Sequence, residues 1–207
     1  MAAKRGKKRR RLAPKARREE ILKAALTAFV RGGYHGTHVS HVIHEAQVAR
    51  GTFYLYFSSK HEVFEALVDR MLSIFLETRP ASPTPEVKTL ADAEALLRAS
   101  YRVVLETFRR HRHLCRLLFD EAVGVDKGFA ERLAKHYQAW HARVLATLAE
   151  FVDRGVARKA LDAEVTADLV LGMVERVTRR YLFPDRAPDL GRLVDAIVSF
   201  ELRGTRA

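Results

Sequence analysis

The fold of this chain is decided by residues 37–62, which read THVSHVIHEAQVARGTFYLYFSSKHE. Apolar residues in the first part recur at helical spacing and predict a short helix that Thr37 can cap. A turn follows around Val48, and a second short helix is predicted from about Ala49 to Tyr54. Two short helices joined by a turn are typical of a helix-turn-helix, whose second helix enters the major groove of DNA.

The second helix and the residues around it carry a family resemblance. Gly51–Lys60 reads GTFYLYFSSK, and the upstream segments ILKAALTAF (Ile21–Phe29) and GYHGT (Gly33–Thr37) continue the same pattern. Over about residues 15–75 the chain resembles the TetR family of bacterial repressors. The resemblance implies a three-helix DNA-binding domain, followed by a larger helical domain that binds a ligand and forms a dimer.

The second helix supplies the residues expected to face DNA, which are Arg50, Gly51, Thr52 and Tyr54. Arg50 is the best candidate for guanine, because arginine can bond this base bidentately. Gly51 leaves room for a phosphate, and Phe53 is better suited to anchoring the helix in the core. The resemblance further implies that phosphates are held by Thr37, Tyr56 and Lys60.

Two residues depart from the family pattern. The family usually has glycine in the turn, where this chain has Gln47, and serine or threonine where it has Ala49. A glutamine in the left-handed conformation costs about 1 kcal/mol, and a missing N-cap hydroxyl costs about the same. We therefore expect the second helix of the motif, the recognition helix, to be less stably folded in the free protein.

Most of the positive charge lies in front of the motif. The whole chain has a net charge of +12, and its first 18 residues contain ten Lys and Arg residues and no acidic residue. We expect residues 1–13 to form a disordered basic arm that contacts phosphates, because DNA meets the chain there. The alternatives are a merely solvated tail, or an RNA-binding or architectural protein that uses this arm alone and lacks sequence preference.

From residue 59 onward the sequence predicts further helices and no strand, so the predicted fold class is all-α. We assign residues 14–58 to the helix-turn-helix domain and residues 59–207 to the effector-binding and dimerisation domain that the resemblance implies. Bulky side chains on the central helices are the candidates for an apolar or aromatic effector: Tyr101, Phe108, Phe119, Tyr137, Trp140 and Met173. The alternative is that these residues are plain core.

The resemblance also implies that the last two long helices pair with those of a second subunit. The candidate interface residues form apolar stripes on these helices: Val170, Val174, Val177, Tyr181, Leu193, Ile197 and Phe200. The alternative is that the stripes are intramolecular core. We favour a homodimer, because two-fold operators match two-fold proteins and one helix-turn-helix makes few base contacts.

Other classes of protein are disfavoured by the sequence. No glycine loop, nucleophile elbow or HExxH motif points to an enzyme or a cofactor. His35, His38, His41 and His44 recur every three residues, but a metal site needs three or four converging donors, so we expect surface histidines near phosphate and no metal. No apolar run approaches the ~20 residues that span a bilayer, which predicts a cytoplasmic protein with no membrane partner.

The function expected from these features is a ligand-responsive transcriptional regulator. We expect a repressor that binds a palindromic double-stranded operator as a dimer and leaves it when a small effector binds.

Overall fold

The computed structural model describes residues 13–77, 87–125, 127–184 and 188–206, without side-chain detail at 75–77, 121–125 and 127. These ranges contain nine α-helices and one π-helix: α1 (Pro14–Gly36), α2 (Val39–Ala46), α3 (Arg50–Tyr54), α4 (Lys60–Glu77), α5 (Leu90–Arg110), α6 (Arg112–Val125), α7 (Lys127–Asp153), α8 (Ala163–Val177), the π-helix (Thr178–Leu182) and α9 (Leu190–Thr205). They contain no strand, which confirms the all-α prediction; one isolated bridge joins Ala157 and Arg206. No helix in the described ranges has the length and apolar character needed to span a lipid bilayer.

The chain forms two compact units, Met1–Leu67 and Val68–Ala207. In the first unit, α1 packs on α2 and α2 contacts α3. Three rings form the centre of its core: Tyr34 and Phe64 lie 4.8 Å apart between ring centroids, and Phe29 lies within 6 Å of both. These edge-on and tilted contacts suit aromatic rings and fix α1 against the first turns of α4.

In the second unit, α5 packs on α9, α7 packs on α6 and α8, and the π-helix contacts α5. Three of its helices, α5, α8 and α9, begin at side-chain caps, which accept from backbone N–H groups that have no partner inside the helix. Thr89 accepts a hydrogen bond from the Asp92 N–H at the start of α5. Asp162 and Asp189 cap α8 and α9 in the same way.

Gly155 turns the chain just after the end of α7. Its φ of 71° lies in the left-handed region, which glycine adopts without the Cβ penalty. The Val156 N–H then donates to the Phe151 carbonyl at 2.8 Å, which satisfies an acceptor in the last turn of α7.

Candidate nucleic-acid interface

Aromatic side chains that pack on its buried side fix the orientation of the recognition helix α3. Phe53 is fully buried, and its ring centroid lies 6.1 Å from that of the buried Phe57. Tyr54 meets Phe53 edge-on at 5.3 Å. Because α3 is only five residues long, its own hydrogen bonds cannot hold it, and this anchoring sets its orientation.

The opposite side of α3 is open to solvent. Arg50, Gly51 and Tyr54 are exposed, and Thr52 is half-buried. The Arg50 guanidinium carbon lies 5.8 Å from the Tyr54 ring centroid, so the cation and the ring are in stacking reach. A Cβ added to Gly51 would meet nothing within 4 Å. The helix therefore presents a guanidinium, a phenol and a side-chain-free backbone on one accessible face.

The turn before α3 contains the strained residue that the sequence predicts. Gln47 has φ 50° and ψ 42°, which makes it the one non-glycine residue with positive φ in the described part of the chain. Its backbone N–H donates to the His44 carbonyl at 3.0 Å. Ala49 is the N-cap residue of α3 and makes no side-chain cap, which agrees with the expected loss of a hydroxyl.

Thr37 does not present its hydroxyl to solvent. The residue is 1% exposed, and its Oγ1 donates to the carbonyls of Gly33 at 2.7 Å and Ala28 at 3.2 Å. The N-cap position of α2 belongs to His38, since the helix begins at Val39. The structure therefore corrects the expectation that Thr37 caps α2, and its buried hydroxyl is not placed to hold a phosphate.

Lys60 is half-buried at the start of α4 and is directed towards α1. Its Nζ donates to the Tyr34 carbonyl at 2.7 Å and lies 4.3 Å from the Tyr34 ring centroid. Burial lowers the pKa of this ammonium from its ordinary value. The Nζ also lies 3.5 Å from the His35 carbonyl, so two of its three donors face backbone carbonyls and the third remains for a phosphate. Tyr56 is half-buried in the segment between the two helices.

The four histidines are exposed and extend from the last turn of α1 to the last turn of α2. The His41 Nδ1 accepts a hydrogen bond from the His38 backbone N–H at 3.2 Å, which satisfies one donor outside the helix. In the described residues, no three His, Cys, Asp or Glu side chains converge on a possible metal position. The predicted basic arm, residues 1–13, lies outside the described residues except for Ala13.

Comparison with known proteins identifies this arrangement. Residues 21–67 match the model described as bacterial regulatory proteins of the tetR family. The HTH-type transcriptional regulator EthR of Mycobacterium tuberculosis is 30% identical over 158 residues, which cover 74% of this chain and 70% of EthR. The chain belongs to the TetR family. Members of the family are transcriptional regulators rather than enzymes, so this chain is a helix-turn-helix regulator.

Two solved structures share the TetR fold. A TetR-like transcriptional regulator from Rhodococcus sp. RHA1 superimposes with a TM-score of 0.77 at 22% identity, over 94% of this chain and 98% of the other. The regulator FadR of Bacillus subtilis, solved in complex with stearoyl-CoA, gives 0.71 at 19% identity, over 90% and 98% of the two chains. At these identities the likeness concerns the fold alone.

The candidate effector residues of this TetR-family chain do not all lie in one cluster. Phe108 on α5 and Phe119 on α6 lie 6.0 Å apart between ring centroids, and Phe183 extends this aromatic cluster at 5.9 Å from Phe119. Tyr101 lies two turns earlier on α5, where its hydroxyl donates to Glu201. The other three lie on α7 and α8 and are exposed or half-buried: Tyr137, Trp140 and Met173.

The candidate dimer residues divide into two groups. Val170, Val174, Leu193 and Ile197 are buried within the single chain, so they contribute to its own core and have little surface left for a partner. Tyr181 and Phe200 are exposed, and Val177 is half-buried. Of the predicted stripes, these three residues remain accessible to a second subunit.

Two polar residues in the second unit were missed by the sequence reasoning. Glu201 is 7% exposed on α9, and burial raises the pKa of its carboxyl while the Tyr101 hydrogen bond opposes the rise. Arg179 joins the π-helix to α6 through Asp120 at 2.7 Å and the Phe119 carbonyl at 3.1 Å. The burial of Glu201 could have been predicted from sequence, because this residue continues the apolar stripe of α9 four residues after Ile197.

Proposed function

We propose that the protein is a cytoplasmic repressor that binds a palindromic operator as a homodimer and is released by a small apolar or aromatic effector. The observation that carries the proposal is the orientation of α3, with Phe53 buried beneath it and Arg50 and Tyr54 exposed above it. In a helix-turn-helix, the exposed side chains of the second helix meet base edges in the major groove.

The chemistry of this face assigns a role to each residue. Arg50 would bond guanine O6 and N7, a contact that contributes about 1–3 kcal/mol of discrimination between bases. Tyr54 stacks under the guanidinium at 5.8 Å and would restrict its motion before DNA binds. Gly51 and Thr52 would lie close to the backbone, and Tyr56 and Lys60 would hold phosphates that set the register.

Fluorescence anisotropy tests this assignment. Labelled DNA from the region upstream of the gene is titrated against a scrambled sequence at several salt concentrations. Arg50→Gln and Tyr54→Ala are expected to weaken binding to the upstream DNA by about tenfold or more and to change binding to scrambled DNA much less. Arg102→Gln, an exposed arginine of α5, is the control for net charge. Equal effects of Arg50→Gln and Arg102→Gln would contradict the proposed base contact.

For the homodimer we propose an interface on the exposed sides of α8 and α9. Val165 and Leu169 are 53% and 67% exposed on α8, and Phe200 is 72% exposed on α9. Val165 and Leu169 are four residues apart and share one face of α8, with Gly172 three residues further along. Since α8 and α9 pack together, these side chains supply apolar surface on neighbouring helices.

Light scattering after size exclusion measures the subunit number. Leu169→Arg and Phe200→Arg are expected to halve the mass and abolish operator binding, because a charge would be buried at the interface. Val103→Arg replaces an apolar residue that is 47% exposed on α5 and is expected to leave the dimer intact. A dimer that survives both α8 and α9 changes would require another interface.

The proposed effector is apolar or aromatic, with Phe108 and Phe119 as its first contacts. These rings are supported by Phe183 and lie on different helices, so a ligand inserted between them would separate α5 from α6. The complex of the similarly folded FadR with stearoyl-CoA makes a fatty acyl group a reasonable first probe. A ligand releases the repressor only if it prefers the non-binding conformation.

Release of labelled operator on addition of dodecanoic acid or stearoyl-CoA tests this part of the proposal. Phe119→Ala is expected to raise the concentration needed for release, whereas Val103→Ala is not. If an active ligand acts equally on both variants, its site lies elsewhere.

The second candidate is a non-specific nucleic-acid-binding or architectural protein that acts through the basic arm. It is favoured by the ten basic residues within the first 18. Such a protein would bind upstream and scrambled DNA alike, and Tyr54→Ala would not alter its affinity. The anisotropy experiment therefore separates the two functions.

A further inference from the structure

Thr178, the first residue of the π-helix, has a buried hydroxyl with no hydrogen-bond partner among the described residues. The residue is 0% exposed, so bulk solvent does not replace the missing partner. A buried polar group that stays unpaired destabilises the folded chain, and most such groups in proteins are paired. This hydroxyl therefore requires an explanation.

Other helical threonines of the second unit show what is unusual at this position. Thr107, Thr147 and Thr205 each donate a hydroxyl hydrogen bond to the carbonyl four residues earlier, at 2.8, 3.1 and 2.8 Å. Such a bond is available to threonines within helices. At Thr178 the corresponding carbonyl, that of Val174, accepts from the Thr178 backbone N–H but not from its hydroxyl. The hydroxyl can therefore bond a group from outside its own helix.

The unpaired hydroxyl lies in the region of the aromatic cluster proposed for the effector. The π-helix packs on α5, the helix that carries Phe108. The Phe183 N–H donates to the Thr178 carbonyl at 3.3 Å, and the Phe183 ring contacts that of Phe119. Arg179, the next residue, donates to the Phe119 carbonyl at 3.1 Å. Single turns of π-helix are rare and occur frequently at functional sites.

The charges beside the cluster indicate which kind of polar group suits this position. The Arg179 guanidinium carbon lies 5.1 Å from the Phe119 ring centroid. The same guanidinium contacts Asp120 at 2.7 Å and Glu175 at 2.9 Å, so two carboxylates already share one cation. A third carboxylate buried here would be poorly compensated, whereas a neutral hydroxyl or carbonyl needs only a hydrogen bond.

We propose, as an extension that rests on the proposed function, that Thr178 binds the polar group of the effector. The effector then combines an apolar body, held by Phe108 and Phe119, with one neutral hydrogen-bonding group such as a phenol, an alcohol or an ester or thioester carbonyl. The threonine hydroxyl donates and accepts, so it can pair with each of these groups. A site that hydrogen-bonds its ligand rejects analogues that leave the site's own polar group unpaired. Thr178 is thus a specificity-determining residue.

Isothermal titration of the full chain tests this with three probes of similar shape: 4-propylphenol, propylbenzene and 4-propylbenzoate. The phenol is expected to bind about tenfold more tightly than the other two. Thr178→Val preserves the shape of the side chain without its hydroxyl. This variant is expected to lose the preference for the phenol over propylbenzene and to bind propylbenzene within about twofold of the wild type. Thr178→Ser retains the hydroxyl and is expected to keep the preference.

Thermal unfolding of the ligand-free chain is an independent test of the unpaired hydroxyl. Thr178→Val is expected to raise the unfolding midpoint by about 2–4 °C, because a methyl group is buried in place of an unpaired hydroxyl. Thr205→Val is the matched control. This buried threonine already donates to the Glu201 carbonyl, so its replacement is expected to give no rise. A midpoint of Thr178→Val below that of the wild type would show that the hydroxyl is paired and would overturn the proposal.

The binding data can also overturn the proposal. They do so if 4-propylphenol binds no more tightly than propylbenzene, or if Thr178→Val keeps the preference for the phenol. Release of labelled operator is measured separately with the same probes. Binding of the phenol through Thr178 without release would support this site and contradict the effector role in the proposed function.

Discussion

The backbone conformation of Gln47 leads to a prediction about the stability of the first unit, which contains the helix-turn-helix. Replacement by glycine, Gln47→Gly, is expected to stabilise this unit, because the residue has φ 50° and ψ 42°. A residue with a Cβ is strained there, whereas glycine is not. Gln47→Ala is the matched control, since it removes the same side-chain atoms beyond Cβ but keeps the strain.

The expected difference between the two variants follows from two opposing terms. The left-handed conformation costs a residue with a Cβ about 1–2 kcal/mol. Glycine also makes the unfolded chain more flexible, which lowers the free energy of unfolding by about 0.4–1 kcal/mol. The glycine variant is therefore expected to exceed the alanine variant by about 1 kcal/mol in free energy of opening, which slows amide exchange about fivefold.

Native-state hydrogen exchange by NMR measures this free energy in the intact chain, and it separates the two units. The amides of Phe53 and Phe57 donate to Ala49 and Phe53 carbonyls and report on the first unit. The amide of the buried Leu105 reports on the second and is expected not to change. Equal protection of Phe53 and Phe57 in the glycine and alanine variants would refute the claim of backbone strain at this turn.

Three further predictions concern single residues. Burial raises the pKa of the Glu201 carboxyl above its ordinary 4.5, so the folded chain holds this proton more tightly than the unfolded chain. The contribution of Glu201 to the free energy of unfolding is therefore fully present below about pH 4.5 and is lost as the pH rises through the raised pKa. Glu201→Gln is expected to remove this fall in unfolding scans followed by the fluorescence of Trp140, whereas an unchanged pH profile would exclude Glu201 as its source. Ala49→Ser is expected to add an N-cap acceptor for the Thr52 N–H and to stabilise α3 by about 1 kcal/mol, measured by the same amide exchange; no gain would mean that the hydroxyl points away. Burial raises the pKa of the Cys115 thiol to about 12, so a disulfide reagent at pH 7.5 is expected to label it only after unfolding, and rapid labelling of the native chain would contradict its burial.

The helix-turn-helix could be predicted from sequence because its determinants are local. The turn, the anchoring Phe53 and the exposed Arg50 follow from residue types within one short segment. The hydrogen bonds of the Thr37 hydroxyl could not be predicted from sequence. They depend on a kink in α1 at Gly33, where φ is 67°. At the start of α4, serine and glutamate three residues apart predict a capping box. Ser59 does accept from the Glu62 N–H at 3.1 Å, but the Glu62 carboxylate accepts from the Ser58 N–H and not from that of Ser59.

In the second unit the sequence identified buried faces but not what covers them. An apolar stripe has the same period whether it packs inside one chain or against another. Val170 and Ile197 are buried by their own chain, whereas Phe200 is exposed on the same helix as Ile197. The pairing of Tyr101 with Glu201 joins residues a hundred positions apart, and no local pattern encodes that separation.

The central claim is that two copies of the Arg50–Tyr54 face enter the major groove of one operator. Methylation interference tests it directly, because a methyl group on guanine N7 blocks contacts in that groove. We expect interfering guanines in two clusters about 10–10.5 base pairs, or a small multiple of that, apart on one side of the duplex. Arg50→Gln is expected to relieve interference at one guanine in each cluster. Binding that tolerates methylation at every guanine, or a pattern that Arg50→Gln leaves unchanged, would contradict the account.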